Sequence, residues 1–168
     1  MEAEPFILFG TDHLLAILVV ILISILVPHY LKKTSLATKN RFGYVLAYIL
    51  ILNELVKPYY HTQFFGYDLL NVLPFHMCAL SAFSISIFLL TNKRIFYEVA
   101  FFWGIGGGLM ALLQPDTPLD FPDPVFIIFF VSHGSMLLAI GHASIALENR
   151  PNLDSVKRAI MVSLAVIV

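Results

Sequence analysis

A thiol (Cys78), the imidazoles His76 and His133 and the carboxylate of Glu54 are among the reactive groups inside long apolar stretches of this sequence. Ionisable side chains in a bilayer carry a cost of a few kcal/mol each, so they face a cavity or a partner. The chemistry open to them is nucleophilic. An imidazole that takes the proton of a thiol leaves a thiolate able to attack an acyl ester. A thiol alone in hydrocarbon is inert, so Cys78 needs a histidine. On a regular helix His76 and Cys78 stand about 200° apart, and they share a cavity only if Pro74 distorts the backbone. Cys78 with His133, from different segments, is the easier pair to build. Asn71, Phe75, Cys78 and Ala82 share one face by helical spacing, which places Asn71 above the thiol. Asn71 or His76 would donate hydrogen bonds to a developing oxyanion. Glu54 and His13 would orient His133 or bind a head group, and Gln114 closes the fourth apolar stretch on the same side.

Each residue also has a structural reading. A membrane cysteine packs as a small apolar filler. His76 can bond the Leu70 carbonyl that Pro74 leaves unpaired. His133, between Ser132 and Gly134, can bond from helix to helix. Glu54 can pair with Lys57 three residues on, and His13 can be merely interfacial. His142, nine residues past His133, points roughly the opposite way and reads as structural. No HExxH, paired-cysteine or EF-hand spacing occurs, so neither a metal nor another cofactor is expected. His76, His133 and Glu54 are of ligating type, but nothing beyond type supports a metal.

The elements that must position these groups follow from hydropathy. Of 168 residues, 59% are hydrophobic and 12% charged, against about 25% charged in a soluble domain. The net charge of −1 and the lack of a basic patch argue against nucleic acid. One cysteine cannot form an internal disulfide. A spanning helix takes about 20 apolar residues. Segments 13–31, 42–56, 68–91, 95–113 and 124–147 qualify, and a sixth, 156–168, reads as a span cut short. No strand alternation appears in them. The expectation is an all-α, polytopic transmembrane bundle forming a single domain over 1–168, with six spans seen. Nine of ten Lys and Arg residues fall in alternate loops, 32–41, 92–94 and 148–158, which places those loops in the cytoplasm and the N-terminus outside. Only Lys57 falls on the other side.

Counting helical rise from the outer ends puts His76 ~12 Å, Cys78 ~15 Å and His133 ~13 Å into their spans, with Glu54 ~6 Å from its end. His13 and Gln114 mark outer ends. Six groups from five helices at one level imply a polar cavity open to the outer leaflet. Gly104 and Gly108 fit a small-xxx-small seam that admits another helix. On a purely structural subunit, that seam would be the partner face.

The run Leu73-Pro74-Phe75-His76-Met77-Cys78, with Phe102-Trp103-Gly104, Ala111-Leu112-Leu113-Gln114-Pro115-Asp116 and Ser132-His133-Gly134, resembles the bacterial YwaF family of integral membrane proteins. Gly10-Thr11-Asp12-His13 and Glu54 also fit. That family in turn is similar to a eukaryotic transmembrane acyltransferase acting on ether phospholipids. The resemblance implies a full-length protein of about seven helices in the bacterial cell membrane, with Cys78 and His133 as a catalytic pair and membrane lipids as partners. The expected function is therefore lipid acyl transfer or acyl-ester hydrolysis through a cysteine acyl-enzyme. The alternative is a lipid or small-molecule carrier without catalysis. Oligomeric state does not follow from the sequence.

Overall fold

Caps and prolines decide where the helices of this chain begin and end. A computed structural model describes residues 4–167. Helix α1 covers Thr11–Lys32. Helix α2, Leu36–Phe65, starts at Ser35, whose hydroxyl accepts from the Thr38 N–H. It ends at Gly66, with φ at +70°, a left-handed conformation that glycine enters without a Cβ penalty. At 1.5 Å per residue α2 is about 45 Å long, so it outreaches a hydrocarbon core of about 30 Å.

The apolar stretch 68–91 is not one helix. It divides into a four-residue α3, Leu69–Val72, and α4, Met77–Thr91. Leu73 is extended (φ −60°, ψ 143°), as a residue preceding proline must be. His76 is also extended and is the N-cap of α4. Depth counted at helical rise from Asp68 therefore does not apply to His76 or Cys78. Cys78 sits in the first turn of a new helix rather than two turns into an old one.

Helix α5 covers Arg94–Leu113 and α6 covers Pro124–Gly141, which runs on into a π-helical turn, His142–Ala146. Helix α7 covers Leu153–Ile167. The packing is helix on helix: α4 against α5 and α2, α6 against α1 and α5, and α7 against α5. The main core joins α2, α4, α5 and α6 through Leu50, Ile85, Phe88, Tyr97, Met136 and Ile140. A smaller core of Val20, Leu112, Phe126, Phe130 and Leu137 joins α1, α5 and α6. Among the described residues there is no strand, only an isolated bridge between Pro5 and Leu119. The molecule is an all-helical bundle.

Three of its helical stretches, Thr11–Lys32, Arg94–Leu113 and Pro124–Ala146, are long and apolar enough to cross a membrane. Large apolar side chains such as Leu14, Leu18, Leu22 and Leu26 stand exposed on α1. That surface suits lipid rather than water, where apolar patches of such extent are rare. Helix α4 is apolar but has only 15 residues.

Two glycines of α5, Gly104 and Gly108, are covered from within. A Cβ at Gly108 would meet Met136 Cε at 2.9 Å, and one at Gly104 would collide with Ile140 Cδ1. Both contacts come from α6. The seam foreseen as a partner face is thus occupied by the chain's own helix.

One end of the bundle gathers charge. Glu98 of α5, fully buried, accepts from Arg158 Nε and Nη2, both at 2.6 Å, from Arg94 Nε at 2.9 Å and from the Ser155 hydroxyl at 2.8 Å. Arg94 also donates to the Arg150 carbonyl, and Lys32 pairs with Glu148 at 2.9 Å. At the opposite end the Phe6 N–H donates to the Pro118 carbonyl and the Asp120 N–H to that of Glu4. The start of the chain is thereby stitched to the proline-rich segment before α6.

Candidate functional site

Pro58 lies inside α2 and has no N–H to give the backbone carbonyl of Glu54, four residues earlier. Polar side chains gather at this defect. Asn53 Nδ2 donates to Ser132 Oγ of α6 at 2.9 Å. Glu54 is 5% exposed, and its Oε2 has no hydrogen-bond partner. Lys57 is half-buried, and among the described residues its ammonium makes no hydrogen bond or ion pair.

His133, one residue after Ser132, is 8% exposed and lies against Phe129, with ring centroids 4.3 Å apart. Its Nδ1 is 2.9 Å from the Phe129 carbonyl. A carbonyl can only accept, so Nδ1 carries the proton and Nε2 the lone pair. The ring is thus held in the tautomer a general base requires.

The break before α4 presents the remaining groups. His76 Nδ1 accepts the Ala79 N–H at 3.3 Å, which caps the helix and leaves the proton on Nε2. The bond to the Leu70 carbonyl expected from Pro74 does not form. Cys78 follows two residues later, at the helix end that favours negative charge. Its Sγ faces backbone across the gap, where a Cβ on Gly107 of α5 would lie 3.8 Å away. The alignment problem of His76 and Cys78 on one regular helix does not arise, because His76 precedes the helix.

Lys57 joins these groups. It lies within electrostatic range of Glu54, His61, His76, Cys78 and His133. His133 is also in range of His76, and Cys78 of Glu54. Among the described residues, no hydrogen bond links the Cys78 thiol to His133. The cluster draws on α2, the start of α4 and α6. Sequence reasoning passed over Lys57 as a site residue. The available signal was its position, as the one basic residue outside the basic loops and three residues past Glu54.

The structure separates the other candidates from this cluster. His13 is fully buried in the smaller core, between the rings of Phe6, Phe9 and Phe130. Its Nδ1 accepts the Phe9 N–H at 2.9 Å, and its Nε2 donates to the Leu112 carbonyl at 2.7 Å. Neither nitrogen is left to orient His133. Gln114 is exposed at the C-cap of α5, where its backbone N–H bonds to the Met110 carbonyl. Asn71 lies in α3, and its side chain is outside the described residues. His142 Nε2 donates to the Lys39 carbonyl at the basic end. Among the described residues no three His, Cys, Asp or Glu side chains converge as a metal-holding group.

The bundle also carries two largely apolar hollows. One, of about 220 Å³, is lined by Phe75, Met77, Leu80, Trp103 and Val166, beside the first turn of α4. The other is an open groove of about 500 Å³ between α1 and α6, lined by Leu15, Val19, Phe126 and Phe130 among others.

The sequence model of the TMEM164 family matches residues 8–168. An uncharacterized protein of Treponema pallidum (strain Nichols) is 32% identical over 133 residues, which cover 76% of this chain and 53% of the relative. The chain thus spans about half the length of this curated relative. No solved structure matches.

Proposed function

The chain belongs to the TMEM164 family, and from that premise we propose that it transfers or hydrolyses acyl groups of membrane lipids, with Cys78 as nucleophile and His133 as base. The observation that carries this reading is that Cys78, His76 and His133, from the start of α4 and from α6, all lie within electrostatic range of Lys57 on α2. The motif likeness to the YwaF proteins and to the ether-phospholipid acyltransferase supports the same assignment.

In this mechanism His133 Nε2 takes the Cys78 proton, and the thiolate attacks the carbonyl carbon of an acyl ester. The N–H at His76 Nε2 stabilises the oxyanion. Collapse breaks the ester C–O bond, and the leaving alkoxide takes the proton back from His133. The acyl group stays on sulfur as a thioester. A lysophospholipid hydroxyl or water, deprotonated by His133, then attacks the thioester and frees the thiol. The hollow beside Met77 and Trp103 offers the acyl chain an apolar bed. Proton transfer requires Sγ and Nε2 within about 3 Å, a tightening that apo sites undergo when substrate enters. The basic end is assigned to the cytoplasm of a bacterial cell and the cluster to the opposite leaflet.

The same groups without thiol chemistry would serve a lipid carrier, a reading favoured by the open α1–α6 groove. Purified protein reconstituted with a phospholipid donor and a lysophospholipid acceptor separates the two. Acyl exchange followed by mass spectrometry is expected to vanish in Cys78→Ala and to fall at least about 100-fold in His133→Ala. Exchange undiminished in Cys78→Ala defeats the mechanism. Lipid flux that survives Cys78→Ser, with no exchange in the wild type, establishes the carrier.

A further inference from the structure

Glu54 and Lys57 stand one turn apart on α2, a spacing at which opposite charges ordinarily meet. Here they do not. Glu54 Oε2 is buried without a partner, and Lys57 forms no ion pair among the described residues. A buried carboxylate oxygen without a donor is costly, and a polar site of this kind is completed by what binds there. Neither charge is needed for the thiol chemistry. Asn53 donates to Ser132 and also lies in hydrogen-bond range of the Glu54 carboxylate, yet Oε2 stays without a donor.

The depth of the pair narrows the ligand. Lys57 ends the apolar stretch 42–56 of α2. Beyond it come Tyr59, exposed, then Tyr60, His61 and Thr62, with Tyr67 exposed past the helix end. Tyrosines at such a boundary mark the level of lipid headgroups. A molecule that presents an anion to Lys57 and a cation to Glu54 at that level is a zwitterionic headgroup, a phosphodiester joined by a short linker to an ammonium group.

We propose that Glu54 and Lys57 form a headgroup subsite selective for zwitterionic phospholipids, with Lys57 on the phosphate and Glu54 on the ammonium group. Charge-assisted bonds of this kind are roughly twice as strong as neutral ones. The subsite stands whether or not Cys78 is a nucleophile, because it concerns binding and not turnover. As part of the acyl-transfer reading, it would place the ester of a bound phospholipid near Cys78, which lies in range of both charges.

The test uses the full chain purified in detergent, with retained lipid measured by mass spectrometry. The competing lipids are phosphatidylethanolamine, phosphatidic acid and diacylglycerol with the same acyl chains. The wild type is expected to prefer phosphatidylethanolamine over both competitors by about tenfold or more, the effect of one charged hydrogen bond. Lys57→Gln should erase the preference over diacylglycerol, and Lys57→Arg should restore it. Glu54→Gln should erase the preference over phosphatidic acid while keeping that over diacylglycerol. Cys78→Ala should retain every preference. Wild-type selectivity in both Gln variants overturns the subsite, as does displacement of the lipid by free phosphoethanolamine at equal concentration. If Glu54→Gln fails to fold, the Lys57→Gln and Lys57→Arg pair still decides. Cys78-independent exchange with selectivity intact counts against the acyl mechanism alone. Cys78-dependent exchange without selectivity counts against the subsite alone.

Discussion

His13 and His133 are the same residue type in similar apolar surroundings, yet they are engaged differently. His13 uses both ring nitrogens on backbone groups of two segments, the Phe9 N–H and the Leu112 carbonyl. His133 uses one, on the preceding turn of its own helix, and keeps a lone pair on the other. His13→Leu should therefore lower the melting temperature in detergent, since it strands two backbone groups at about 1–3 kcal/mol each. Acyl exchange per folded molecule should be retained. A loss of exchange without a loss of stability would put His13 in the chemistry. The sequence pointed to Cys78, His76, His133 and Glu54 because reactive types are scarce in apolar stretches. It also grouped His13 and Gln114 with them, because helical rise predicts depth. Helical rise gives depth only along an unbroken helix, and it fails for His76 and Cys78. Nor does it give azimuth, or which imidazole nitrogen a distant carbonyl will claim. Lys57 reads in the sequence only as a helix partner of Glu54 just past the span 42–56, although its helix continues to Phe65.

At the scale of the element, two prolines leave carbonyls without their helical donors, and each defect sits at a packing feature. Pro58 frees the Glu54 carbonyl beside the polar cluster. Pro28 of α1 frees that of Ser24, and there α6 approaches so closely that a Cβ on Gly141 would strike the Ser24 oxygen. Gly141→Ala pushes against rigid backbone and should destabilise by about 1–3 kcal/mol. Gly106→Ala meets nothing within 4 Å and should stabilise α5 by up to about 1 kcal/mol. Thermal unfolding of the two variants side by side checks the contrast, and equal shifts would refute the packing described. The helical class of the chain was plain from its apolar stretches. The division of 68–91 was less so, because hydropathy is blind to the local clash by which Pro74 extends Leu73. Pro74→Ala should let α3 and α4 merge and turn Cys78 away. Its alkylation by a lipid-soluble maleimide should slow several-fold, and an unchanged rate would show that the proline does not set the thiol's position.

Across the whole molecule, α7 is fastened to the bundle by a few polar contacts. Arg158 and Ser155 reach Glu98, and the Trp103 N–H donates to the Ser163 hydroxyl at 2.8 Å. Arg158→Met leaves the buried Glu98 carboxylate with Arg94 and Ser155 alone. Since Arg158 is itself 40% exposed, solvent screening should keep the loss small. It should appear as faster protease cleavage between residues 147 and 153, while the α1–α6 half stays protected. Equal cleavage rates would mean that α7 is held by apolar contacts instead.

The brevity of α4 bears on how a substrate would arrive. Its 15 residues rise about 22 Å, well short of a bilayer core of about 30 Å. A short wall in a longer fence is met by lipids that compress and tilt beside it. Phospholipids next to α4 would sink toward the level of Cys78, so an ester bond could reach sulfur without the molecule being pulled out of its leaflet.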